Sequence, residues 1–169
     1  ISNIKHIVIK AYFFLPSGFI GEKNQEIESF WQQCREKYQI TAEDYHVSSF
    51  ADPRYANYHD ELLGLMREGK KYATAHMARD FEKNDIPRRQ VGDYWIIVDT
   101  QNGLVGLVKV KEVAVTPFNE VTLDFAAREG EGDGSLEYWQ RVHKEYFLLQ
   151  LAAWGEDWSE GCPVVCETF

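Results

Sequence analysis

The run Tyr94-Trp95-Ile96-Ile97-Val98, followed by Thr100-Gln101-Asn102-Gly103, restricts the fold of this chain more than any other feature. Five consecutive apolar or aromatic residues read as a strand buried on both faces, and Asn-Gly is the residue pair that accepts the positive φ of a tight hairpin. The partner strand is expected from Leu104 to Val115. Within it Val108-Lys109-Val110-Lys111 alternates with period two, so one face is wet. A central hairpin makes neighbouring strands antiparallel, whereas a parallel sheet needs a long crossover after each strand.

Helical periodicity flanks this centre. Asn24 is an N-cap for a helix to about Tyr38, with Ile27, Phe30, Trp31, Cys34 and Tyr38 on one face. Asp52-Pro53 signals a second helix that carries Leu62, Leu63 and Met66 inward and stops at Gly69. From Lys71 the pattern turns extended. Phe125 to Glu129 reads as a short helix, and Ser135 caps a longer one through Leu136, Trp139, Val142, Tyr146 and Leu149 to Gly155. Pro163 to Phe169 closes the chain as a strand. Helices first, strands in the middle, then a helix and a strand define an α+β class.

Residues 24–169 read as one domain and residues 1–23 as an N-terminal extension, with Ile7-Val8-Ile9 an appended or edge segment. The uncharged run from Ala11 to Gly21 is shorter than the roughly 20 residues of a membrane span. No small-residue cleavage site follows it, which argues against a signal peptide. The composition is 44% hydrophobic and 14% aromatic, which excludes disordered and low-complexity classes. The net charge of −9 disfavours DNA, long nucleic-acid tracks and anionic membranes. Residues 67–90 are the exception. Seven basic side chains (Arg67, Lys70, Lys71, Arg79, Lys83, Arg88, Arg89) face four acidic ones there, suggesting a local anion contact. Three cysteines, Cys34, Cys162 and Cys166, imply neither a disulfide framework nor zinc, and free thiols fit a reducing, cytoplasmic setting.

Two motifs fail on context. Gly64 to Lys70 has Walker-like spacing, but Lys71 follows where Ser or Thr should hold magnesium, and a helix precedes it. Glu129, Glu131, Asp133 and Gly134 resemble the start of a calcium loop, but its twelfth position is Gln140. The glycines there read as a tight turn that aims one carboxylate elsewhere. Gly69-Lys70-Lys71-Tyr72-Ala73-Thr74 has the form G-x-K-x-x-T at a helix-to-strand junction, where Lys71 and Thr74 could reach one pocket mouth.

The run from Glu61 through Thr74 that holds this motif, with Val91-Gly92-Asp93, Pro117 to Val121, Glu129 to Trp139 and Pro163 to Glu167, resembles an ASCH-domain protein of the longer, helix-prefixed bacterial branch; Thr168 stands where arginine is expected. The resemblance spans about residues 27–169. It implies a PUA-like fold, a small mixed or antiparallel β-barrel with helices packed round it, and an association with RNA or modified nucleosides. One branch of that family hydrolyses N4-acetylcytidine with a lysine, a threonine and a glutamate, which fall here on Lys71, Thr74 and Glu129; another member is described as a ribonuclease.

Amide hydrolysis needs a nucleophile, a proton acceptor and positive charge where the oxyanion develops. Thr74 could attack or position water. Lys71 could take the proton if desolvated or stabilise the oxyanion if charged, and Glu129 could orient Lys71 or protonate the leaving amine. A close Lys–Glu pair would keep both charged, favouring the electrostatic role. Tyr72 and Tyr94 are candidate base-stacking residues, His76 a candidate for acid–base work, Ser135 a pocket hydroxyl as well as a cap, and Arg79 an anion contact. The expected substrate is a small nucleoside-like molecule acted on without metal or cofactor. The alternative is a non-catalytic or ribonuclease-like module binding single-stranded RNA through the same cleft and the basic segment. The oligomeric state stays open.

Overall fold

A computed structural model describes residues 21–50 and 56–169. The Ile7-Val8-Ile9 segment and the Asp52-Pro53 helix start lie outside them. Helix α1 spans Gln25–Tyr38, and the Asn24 side chain accepts the Ile27 N–H at 2.9 Å, as its capping role requires. Strand β1 (His46–Ser48) leads to α2 (Ala56–Arg67), β2 (Ala73–Met77) and α3 (Ala78–Lys83). The hairpin β3 (Tyr94–Val98) and β4 (Leu104–Lys109) follows, then β5 (Glu112–Pro117) and a 3-10 turn at Phe118–Glu120. Helices α4 (Leu123–Glu129) and α5 (Leu136–Trp154) precede the closing strand β6 (Pro163–Thr168).

The strands form two three-stranded sheets, in the orders β1-β3-β4 and β2-β6-β5. This corrects the sequence reading in two places. The single strand expected over Leu104 to Val115 is two, because the chain changes sheets between Val110 and Lys111. Val110 still bonds the β3 side through Asp93 and Gly92, while the Lys111 N–H donates to Thr168 of the other sheet at 2.8 Å. The extended segment after Lys71 is interrupted by α3, whose six residues are too few for periodicity to reveal. It is held by Ala78 and Phe81 packing on Val165. The fold class is α+β as expected, and among the described residues the strands are assigned to two small sheets, with β1 parallel to β3.

Alternation along β3 explains how the layers are built. Ile96 and Val98 face α1 through Ile27 and Trp31, while Trp95 and Ile97 face Leu62 and Leu63 of α2 together with Phe169. In the second sheet Ala75, Met77, Val164 and Cys166 pack on Trp139, Phe147 and Leu151 of α5. Between the sheets lies a buried ion pair. The Arg89 guanidinium donates to both Glu167 oxygens at 2.9 and 2.6 Å while stacking 4.0 Å from the Trp95 ring centroid. The planar guanidinium fork suits both contacts at once.

Candidate functional site

The site begins where α2 ends. Gly69 adopts φ +71°, and the Lys70 and Lys71 amides both donate to the Leu65 carbonyl, which turns the chain so that Lys71 enters the interior just before β2. Helix α4 arrives from the other side. Its C-cap Gly130 has φ +70°, and a Cβ there would lie 2.3 Å from the Lys70 carbonyl oxygen. Only glycine permits this approach. The Tyr72 N–H donates to the Arg128 carbonyl at 3.0 Å, locking the two segments side by side.

That backbone contact sets Lys71 among carboxylates. Its Nζ donates to Glu129 Oε2 at 2.7 Å and to Glu131 Oε1 at 2.8 Å, and all three residues are buried. Glu129 Oε1 accepts the Trp139 indole N–H at 2.9 Å and lies 3.4 Å from His143 Nε2. His143 Nδ1 lies 2.9 Å from the Trp139 carbonyl, which can only accept, so Nδ1 donates there and Nε2 faces the carboxylate. The Tyr58 hydroxyl donates to Glu131, and the Phe50 ring centroid sits 5.3 Å from Lys71 Nζ.

The electrostatics follow from this packing. Burial opposes charge on Lys71, but Glu129 and Glu131 outweigh it and raise the lysine pKa above its ordinary value. Burial alone would push Glu129 up; Lys71 and His143 hold it well below the usual carboxylate range. His143 likewise resists burial because Glu129 stands beside it, and its pKa rises. Lys71 is therefore a cation at neutral pH and unsuited to take a proton. With His143 protonated, two cations face two carboxylates.

These groups line one cavity of about 290 Å³, enclosed by β2, α2 and α5 and bordered by Thr74, His76, Tyr146 and Leu149. Its size lies just below the range of roughly 300–1,000 Å³ typical of small-molecule sites. Among the described residues strand β2 is one of the two edges of its sheet. Because the Phe169 N–H donates to the Tyr72 carbonyl, antiparallel alternation turns the Thr74 and His76 amides toward β6 and the Ala75 N–H and C=O outward along the edge that borders the cavity.

The structure brings together Lys71, Thr74, Glu129 and His76 of the residues proposed from sequence. His76 enters the cavity as a buried imidazole. Burial, then the charge of Arg89, pushes its pKa down to about 3, so the imidazole is neutral across the physiological range. Four others lie elsewhere. Tyr72 is exposed, and Tyr94 faces α1 across the first sheet. Arg79 pairs with Glu156 and Glu82 on the surface. Ser135 caps α5 by accepting the Tyr138 N–H at 3.1 Å. The basic segment is also neutralised. Lys71 and Arg89 are buried in ion pairs, and Lys70, Arg79, Lys83 and Arg88 each face a carboxylate. Sequence reasoning misses Tyr58 and His143 and reads Trp139 as core alone. The i,i+4 spacing of Trp139 and His143 on α5 is the one signal that pairs them. Among the described residues no group of three or more His, Cys, Asp or Glu could hold a metal, and no helix is long and apolar enough to cross a membrane.

An ASCH-domain family model matches residues 46–169, and the chain belongs to that family. It is similar to the ASCH domain of Lactobacillus crispatus JV V101 at 22% identity, with a TM-score of 0.76, covering 89% of this chain and 96% of that one. It is also similar to a protein of Enterococcus faecalis V583 at 27% identity, with a TM-score of 0.74 and coverage of 84% and 85%. These likenesses support the PUA-like architecture. A comparison with curated proteins finds no match. Helix α1 precedes the matched region.

Proposed function

We propose that the protein hydrolyses the amide bond of a small, uncharged, N-acylated nucleoside in the Lys71 cavity. The observation that carries this reading is the enclosed ammonium of Lys71, held by Glu129 and Glu131 beside Thr74 in a space of nucleoside size. Lys71 is cationic, so it stabilises the oxyanion that forms on the acyl carbonyl, where a fixed charge in a water-poor site is most effective. Both Glu129 oxygens are already engaged by Lys71, Trp139 and His143, which makes Glu129 a positioning residue acting through Lys71. Thr74 places the attacking water. Water oxygen bonds to the acyl carbon, and its proton passes to Glu131, the other carboxylate beside Lys71. The C–N bond then breaks with its electron pair on nitrogen, and that nitrogen takes the proton, giving a carboxylic acid and the free amine.

The two buried carboxylates, Glu129 and Glu131, favour a neutral ligand over a phosphate chain. The alternative, RNA binding through residues 67–90, loses its electrostatic basis because six of the seven cations there face carboxylates. The test is incubation with N4-acetylcytidine and with single-stranded RNA, followed by chromatography, for the wild type, Lys71→Ala and Glu129→Ala. Release of cytidine that disappears in both variants is expected. Intact acetylcytidine alongside bound or cleaved RNA would overturn the reading.

A further inference from the structure

A second concavity lies on the far side of the first sheet, between α1 and β4, with a volume of about 480 Å³. Its lining combines Lys37 and Lys109 with Phe30, Tyr38 and Tyr94, and no acidic residue borders it. The two lysines differ from most cations of this acidic chain. Nine lysines and arginines elsewhere are matched with carboxylates within 4 Å, whereas among the described residues Lys37 and Lys109, like Arg35, Arg67, Lys111 and Arg141, have no such partner. Lys37 and Lys109 each rest instead over an aromatic ring. Lys37 Nζ lies 5.0 Å from the Tyr38 centroid, and Lys109 Nζ lies 5.4 Å from that of Tyr94, its cross-strand partner.

We propose that this groove is a binding site for one nucleoside monophosphate, with the phosphate between Lys37 and Lys109 and the base against Tyr38 or Tyr94. Two ammonium groups suit the roughly two negative charges of a terminal phosphate near pH 7. The adjoining rings supply stacking faces that accept any base. A single unit fits better than a polymer. The volume lies within the range of small-molecule sites, and a −9 body repels each further phosphate. The site depends on α1, which precedes the region matched to the family, and it is separate from the Lys71 cavity.

The experiment is a titration of the full chain with adenosine 5′-monophosphate, followed by amide chemical shifts, beside adenosine, inorganic phosphate and a tetra-adenylate. The expected result is shifts confined to residues 30–40 and 94–109 with the monophosphate. Adenosine alone and phosphate alone should bind at least about tenfold more weakly, and Lys37→Glu or Lys109→Glu should each weaken binding by roughly tenfold or more, as loss of one charge-assisted hydrogen bond requires. Both lysines are exposed, so the variants should keep the wild-type melting temperature and any hydrolysis in the Lys71 cavity. Equal binding of adenosine and its monophosphate, unchanged affinity in both variants, or shifts located elsewhere would overturn the proposal. Tighter binding of the tetra-adenylate by tenfold or more would reassign the groove to a single strand and also overturn it.

Discussion

Replacing Lys71 with methionine keeps most of the side-chain stem and removes the charge with its N–H donors, so it isolates what the ammonium does. In the native protein that ammonium bonds Glu129 at 2.7 Å and Glu131 at 2.8 Å, in a place closed to solvent. Lys71→Met leaves two buried carboxylates opposed by His143 alone. Removing one partner of a buried pair costs about 3–5 kcal/mol, which for a chain of this length corresponds to a fall in Tm of roughly 6–20 °C. The loss should depend on pH with a defined sign. Glu129 is held below its ordinary pKa when folded, so in the wild type its contribution is present above the unfolded pKa and lost as pH falls through the folded one. Without Lys71, burial raises the Glu129 pKa, and the variant can relieve its buried charge by taking up a proton. The stability gap between variant and wild type should therefore narrow between pH 7 and pH 4.5. Urea unfolding followed by fluorescence of the buried Trp31, Trp95 and Trp139 measures both quantities. A loss below about 1 kcal/mol at pH 7, or a gap independent of pH, would refute the ion-pair argument.

Three further outcomes are expected. Gly130→Ala forces a Cβ to 2.3 Å from the Lys70 carbonyl at φ +70°; it should destabilise by roughly 2 kcal/mol or more in thermal unfolding and abolish the proposed amide hydrolysis by displacing Lys71. Arg89→Leu should cost about 3–5 kcal/mol by leaving Glu167 buried and unpaired, and Arg89→Leu/Glu167→Leu should recover most of it; denaturation showing the double variant no more stable than the single would contradict this. His143 has a raised folded pKa, so its contribution is complete below its unfolded pKa and is lost as pH rises through the folded one. Wild-type stability should thus fall from pH 6 to 9 more than that of His143→Gln, and parallel curves would contradict the assigned charge.

The fold was legible where local chemistry decides it. Asn24, Ser135, Gly69 and Gly155 mark helix ends because caps and left-handed termini depend on single residues. The switch of sheets after Val110 was not legible, since both halves of that segment keep strand composition and only Thr168 and Asp93, distant in sequence, divide them. The site shows the same split. Lys71, Thr74 and Glu129 come from recurrent motif positions and share one cavity. Glu131 entered the sequence reading only as a turn carboxylate, because nothing local shows that Gly130 folds against Lys70 and carries Glu131 to the lysine. Tyr94 lies away from the Lys71 cavity for a tertiary reason. Strand alternation puts it on the α1 face with Ile96, opposite to the α2 face of Trp95. The basic segment misled because composition counts charges and cannot see their partners, which lie at Glu129, Glu156 and Glu167.

The account rests on Lys71 working as a fixed positive charge and not as a base. The most direct measurement is the ¹⁵Nζ resonance of Lys71 followed from pH 6 to pH 10.5, assigned by comparison with Lys71→Met. An ammonium signal that persists to pH 10 is predicted. Conversion to a neutral amine below pH 9 would contradict the electrostatic role and return the lysine to the part of proton acceptor.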